Sequence, residues 1–310
     1  MEKCIDSAVP VLKACRRAVG RIGLAMTIGL AVSQGACLAL VLWLDSFAPA
    51  SLDNPWVSIT VSTLPIYLLC IPIVYLMVRR LPAAYPLEIK RIGIGATAAF
   101  ALATYALFYI SQIVTMGGIE MLSFLTERDY NNALEQVLDT NSAATFLVVG
   151  LLGPIMEELL FRGLILRRLL PYGRTFAVVG SAVMFGLFHA NLFQIGYAFA
   201  TGLALAYITV RTGSILHAAV MHVFFNTYSN LIVFMLERNE TIANVCSVLI
   251  MLAAAAGVVV LVRKRKTIAY HLRPAPVEPG HTLLAGLKTP GFWLFVLACL
   301  GLAVYFMITL

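Results

Sequence analysis

Long apolar runs, interrupted by short basic stretches, set the pattern of this chain. Windows of about 20 apolar residues suffice to cross a hydrocarbon core of about 30 Å. Such windows fall near 22–44, 56–78, 92–116, 143–166, 214–236, 242–262 and 291–310. Two shorter apolar segments, 175–190 and 193–210, flank Ala190-Asn191-Leu192 and read as two further spans joined by a tight turn. The pattern predicts an all-α, polytopic transmembrane helix bundle of eight to nine spans.

Composition agrees with that class. The chain is 61% hydrophobic and 12% charged, against roughly 45–50% and about 25% in soluble domains, and its mean hydropathy is +0.90. Nine spans threaded from a cytoplasmic N-terminus put Lys13, Arg16, Arg17, Arg79, Arg80, Arg167, Arg168 and the Arg263-Lys264-Arg265-Lys266 cluster on one side. Only Arg128 and Arg238 fall on the other, with Arg162 left inside a span. That asymmetry is the positive-inside pattern, and it implies an integral protein of a bacterial cytoplasmic membrane. The net charge of +7 is then a topology signal directed at anionic headgroups, and nucleic acid is excluded as a partner. The first 21 residues are basic, and the 22–44 segment is too long for a secretory signal and lacks its small-residue processing site, so it reads as retained. Six scattered cysteines without a C-x-x-C pair imply neither a disulfide framework nor a zinc knot.

Three regions follow along the chain. Residues 1–142 hold three spans with few polar groups inside them, then an acidic external loop over 117–142 in which Leu122, Leu125, Leu134, Val137 and Leu138 have helical spacing. Residues 143–237 form a four-helix core that carries every candidate catalytic group. Residues 238–310 supply the last helices, joined by a cytoplasmic connector bearing Pro274, Pro276, Pro279 and Pro290.

The core is distinguished by ionisable groups at membrane depth, where each costs a few kcal/mol or more and is retained mainly facing a cavity and its partners. Glu157-Glu158-x-x-x-Arg162, Phe185-x-x-x-His189 and His222-x-x-x-Asn226 lie within apolar helices. Glu158 and Arg162, four apart, share a helix face and can pair; Glu157, about 100° away, points elsewhere. Pro154 removes an N–H just before the pair and predicts a kink that widens the site. His189 lies about fifteen residues beyond Arg174, roughly 22 Å at 1.5 Å per residue. The turn that follows it is therefore expected to be buried in protein, with water nearby. His222 and Asn226 share a face one turn apart, and Thr212 or Ser214 is placed to cap their helix. His217 lies off that face and reads as a satisfied core histidine, whereas His271 and His281 read as solvated connector residues.

The three motifs, in this order on successive helices, resemble the CAAX protease and bacteriocin-processing (CPBP, or Abi) family, relatives of the type II CAAX prenyl endopeptidase. The resemblance covers residues 143–237. It implies an intramembrane endopeptidase in which Glu157, helped by His189, activates water, His222 and Asn226 hold the tetrahedral oxyanion, and Glu158 and Arg162 orient the helix. No cofactor is required on this reading, and the partners are a peptide or membrane-protein substrate and the lipid bilayer. Two alternatives stay open. One is a metal-dependent version with Glu157, His189 and His222 on a divalent ion such as zinc, although the H-E-x-x-H signature is absent. The other is a non-catalytic bacteriocin-immunity or scaffold protein.

Overall fold

The computed structural model describes residues 2–84, 90–132, 143–236, 239–273 and 279–309, and helix is the dominant structure throughout them. The chain begins with α1 (Glu2–Phe47), a single helix that merges the basic lead with the first apolar run. Asn54 then caps α2 (Pro55–Val78), its side chain accepting from the Trp56 N–H at 2.9 Å, and Pro55 fits the first turn because it has no N–H to satisfy. The third helix, α3 (Ile94–Thr126), runs straight through Gly117 and Gly118. The expected external loop therefore starts only at Glu127, and Leu134, Val137 and Leu138 lie outside the described residues.

The core region follows as α4 (Ala143–Tyr172), α5 (Arg174–Phe188), α6 (Leu192–Thr212) and α7 (Ile215–Leu236). Asn191 caps α6 by accepting from the Phe193 N–H, and Gly213 ends it in the left-handed region at φ 70°. Asn239 likewise caps α8 (Glu240–Leu272). A short α9 (Pro279–Leu287) and α10 (Pro290–Thr309) complete the chain, so the C-terminal connector is partly helical; Pro274 and Pro276 lie outside the described residues.

Seven of these helices are long and apolar enough to cross a membrane: α1, α2, α3, α4, α6, α8 and α10. Of the other two expected spans, α5 is apolar but has only 15 residues, whereas α7 has 22, a length that suffices to cross. The segment at 193–210, expected to be short, is a full 21-residue helix. The most apolar of the seven, α8, has a mean hydropathy of 2.9 and only 11% of that window buried inside the protein. Val245, Val248, Met251 and Leu252 face outward, a distribution that suits lipid and not water.

α4 occupies the centre, touched by α1, α2, α5, α6 and α7. Its Phe161, Ile165 and Leu169 meet Ile22 and Met26 of α1, Val74 of α2, Phe176 and Phe185 of α5, and Phe295 of α10 in one apolar core. A smaller cluster joins Leu205 and Ile208 of α6 to Met221 and Phe225 of α7, backed by Phe100 and Tyr105 of α3.

Candidate active site

The local shape of α4 begins with Pro154. In an α-helix its N–H would serve the carbonyl of Gly150; proline has none, and that carbonyl is freed. The backbone responds by widening into π-helical turns over Phe146–Leu152, returning to α over Gly153–Glu158, and widening again over Leu159–Leu166. Freed carbonyls at membrane depth need other donors, and neighbouring helices provide them. Thr227 Oγ1 donates to Gly150 O at 3.3 Å, Asn226 Nδ2 to Val149 O at 3.3 Å, and Ser181 Oγ to Phe161 O at 3.3 Å. The expected proline kink is thus a pair of π-bulges flanking the two glutamates, a device often found at functional sites.

Glu158 and Arg162 form the predicted pair. Arg162 Nη1 lies 2.9 Å from Glu158 Oε1, and neither side chain has exposed surface. A buried guanidinium is costly unless its donors and charge are met. Here Nη2 donates to Gly202 O at 3.0 Å and the cation sits 4.6 Å above the Phe185 ring, while the buried Nε has no hydrogen-bond partner among the described residues, so the guanidinium is met only in part. Gly202 makes this approach feasible: a Cβ there would lie 2.9 Å from Phe185 Cδ1.

His222 ties the two glutamates together. Its Nδ1 is 3.0 Å from Glu158 Oε1, and since that oxygen already faces Arg162, the imidazole N–H is the donor. In the neutral ring this leaves Nε2 as a lone pair, and Nε2 lies 3.8 Å from Glu157 Oε2. That distance exceeds a direct hydrogen bond and suits a small polar group held between the two. Unlike Glu158, Glu157 keeps 25% of its side chain exposed, so it is the carboxylate open to the cleft. Two carboxylates, one guanidinium and one imidazole share this space.

His189 sits at the end of α5, its Nδ1 2.9 Å from Phe185 O. A carbonyl only accepts, so Nδ1 carries the proton, and in the neutral ring Nε2 is the lone pair. The turn beyond it is buried as expected: Ala190 is 4% exposed and strained into positive φ (46°), and Asn191 Nδ2 donates to Asn132 Oδ1 at 2.9 Å. The Phe185 ring is the hub, in edge contact with Phe161 and His189 at 5.0 Å and with His222 at 5.7 Å.

The structure therefore brings Glu157, Glu158, Arg162 and His222 into direct charge contact, with His189 joined to them through Phe185. His189 is not within ion-pair distance of either glutamate among the described residues. Asn226 is on the same helix one turn from His222, and one of its N–H groups is committed to Val149 O. Three groups that would hold a divalent ion, Glu157, His189 and His222, are not gathered as ligands. No cluster of three His, Cys, Asp or Glu side chains suited to a metal occurs among the described residues, so no step is routed through one.

Two other histidines differ from expectation. His217 has a buried Nδ1 without a hydrogen-bond partner, and so is not a satisfied core histidine. His271 lies in the last turn of α8, hydrogen-bonded to the Tyr207 hydroxyl at 2.9 Å, and is not in a connector. Sequence reasoning also passed over Gly202, whose role is a backbone oxygen, and Tyr67 of α2, whose hydroxyl lies against Gly153. Nothing in hydropathy marks a lone tyrosine in a span; a polar atom opposite a glycine one turn before Glu157 becomes visible only in three dimensions.

Comparison with known proteins places this arrangement. Residues 139–228, which contain all six candidate site residues, match the type II CAAX prenyl endopeptidase Rce1-like family. The chain is also 29% identical over 167 residues to a Bacillus subtilis protein described as "Putative membrane peptidase YdiL", covering 52% of this chain and 67% of that one. None of the solved structures matches.

Proposed function

We propose that this integral membrane protein, whose residues 139–228 match the Rce1-like family, is a peptidase that hydrolyses a peptide bond inside the membrane, with Glu157 as general base. The observation that carries the proposal is His222, held at Nδ1 by buried Glu158 and turned at Nε2 toward Glu157.

In the proposed reaction, water rests between the Glu157 carboxylate and the lone pair of His189 Nε2. Glu157 takes one water proton as the oxygen attacks the scissile carbonyl carbon. The resulting oxyanion is held by the second N–H of Asn226 and by His222 in the form that carries a proton on both ring nitrogens, with Nδ1–H held by Glu158 and Nε2–H turned to the oxyanion. Collapse breaks the C–N bond, and Glu157 returns its proton to the leaving amine. A positioned base of this kind contributes typically 10²–10⁴-fold, and each oxyanion donor about 10²–10³-fold. Arg162 holds Glu158 in place. The substrate class is a peptide or a segment of a membrane protein, in keeping with the matched family, and neither a cofactor nor a metal is needed.

The test is cleavage of a membrane-peptide library by protein purified in detergent. Wild-type protein is expected to cut, and Glu157→Gln, folded as judged by its melting transition, is expected to be slower by at least about 100-fold. Equal rates for the two would refute the assignment. A cellular phenotype that survives Glu157→Gln while cleavage is lost would favour the immunity or scaffold role.

A further inference from the structure

The residues given roles above all lie between 157 and 226, yet a side chain from outside the matched region stands beside the turn that precedes Glu157. Tyr67 lies in α2 on a π-helical turn, Ile66–Cys70. A Cβ added to Gly153 would stand 3.0 Å from its hydroxyl, so the phenol occupies the space that any larger residue at 153 would fill. Gly153 is one turn before Glu157, in the α-helical stretch Gly153–Glu158. Every Cα–Cβ bond of a helix tilts toward the N-terminus, and long side chains lie back over the preceding turn. The Glu157 side chain therefore leans over the turn that carries Gly153, toward the phenol. Tyr67 also lies within range of the Glu157 charge, and it is only partly buried.

We propose that Tyr67 is a positioning residue for Glu157, its hydroxyl donating a hydrogen bond to a water shared with that carboxylate. The role rests on the peptidase reading for its consequence in catalysis, but not for the contact itself. A neutral phenol is a donor across the physiological pH range. It gives Glu157 a second polar anchor on the α2 side, while His222 approaches from α7. The other ionisable groups beside Glu157 are Glu158 and Arg162 on its own helix and His222 on α7.

The test compares wild type, Tyr67→Phe and Gly153→Ala in detergent at one fixed pH by the position of the Glu157 carboxyl band in infrared difference spectra, identified by its loss in Glu157→Gln. Tyr67→Phe keeps the ring and is expected to move that band, because a hydrogen bond into the shared water is lost. Gly153→Ala, which crowds the hydroxyl, is expected to move it the same way by less. In peptide cleavage, Tyr67→Phe is expected to lower kcat by roughly 10- to 100-fold, the scale of a misplaced catalytic group, with KM nearly unchanged. An unmoved Glu157 band in Tyr67→Phe overturns the proposal whatever the activity, as does a rate loss that lies in KM alone. A shifted band in protein that cleaves no peptide leaves Tyr67 as the anchor of Glu157 and removes the peptidase reading instead.

Discussion

The Nδ1 atom of His222 lies 3.0 Å from Oε1 of Glu158, a carboxylate with no exposed surface. The contact sets which imidazole nitrogen faces the cleft, since a ring that donates from Nδ1 presents only Nε2 elsewhere. Glu158, adjacent in sequence to the proposed base, thereby acts at one remove, through α7. The pair is also structural, because the same oxygen faces Arg162.

Breaking that pair from one side is expected to cost more than removing it whole. Arg162→Met leaves Glu158 buried without its cation and should destabilise the protein by about 3–5 kcal/mol. Arg162→Met combined with Glu158→Gln is expected to be less destabilised than the sum of the single changes. Thermal unfolding in detergent across the four-member cycle measures the difference.

His222→Ala and Asn226→Ala should separate chemistry from packing. Each is expected to lower kcat by about 10²–10³-fold if it holds the oxyanion. Asn226→Ala should in addition lower the melting temperature, because Val149 O loses its donor inside the protein. Single-turnover cleavage together with melting curves for both variants checks this, and Asn226→Ala protein that is less stable yet fully active would confine Asn226 to bracing α4.

Asn191→Ala is expected to reach His189 indirectly. The side chain caps α6 and donates to Asn132 Oδ1 at the turn directly after the histidine. Loss of the cap should cost about 0.5–2 kcal/mol, and the loosened turn should lower the rate more than Asn54→Ala, the loss of an equivalent cap on α2 far along the chain. Side-by-side cleavage rates and melting temperatures of the two variants give the comparison.

Chelation supplies a further check. Since Glu157, His189 and His222 do not form a three-ligand cluster, cleavage is expected to persist after prolonged treatment with a strong chelator. Activity that is lost on chelation and restored by zinc would mean that the histidines rearrange around an ion.

The helical membrane architecture was legible because unbroken apolar runs have few alternatives. The cluster of Glu157, Glu158, Arg162 and His222 was legible for a related reason: charged groups at that depth must find one another. Spacing alone paired Glu158 with Arg162, and the structure agrees. Spacing did not place His222 between both glutamates, because which helices adjoin is a tertiary matter. The π-helical turns on either side of Gly153–Glu158 were also hidden. Pro154 announces a fault in the backbone ladder, but whether it becomes a bend or a wider turn depends on donors such as Asn226 and Thr227 arriving from another helix. Helix limits misled where polarity was taken for an end, as at Gly117-Gly118, which α3 passes without a break.

The shortness of α5 has a consequence for what surrounds its ends. Fifteen residues extend roughly 22 Å, about 8 Å less than the average hydrocarbon thickness. None of the fifteen is exposed, so neighbouring helices, and not acyl chains, enclose this helix. Its end therefore falls where backbone polar groups must be met from within the protein, and Asn191, which caps α6 and donates to Asn132, serves that junction.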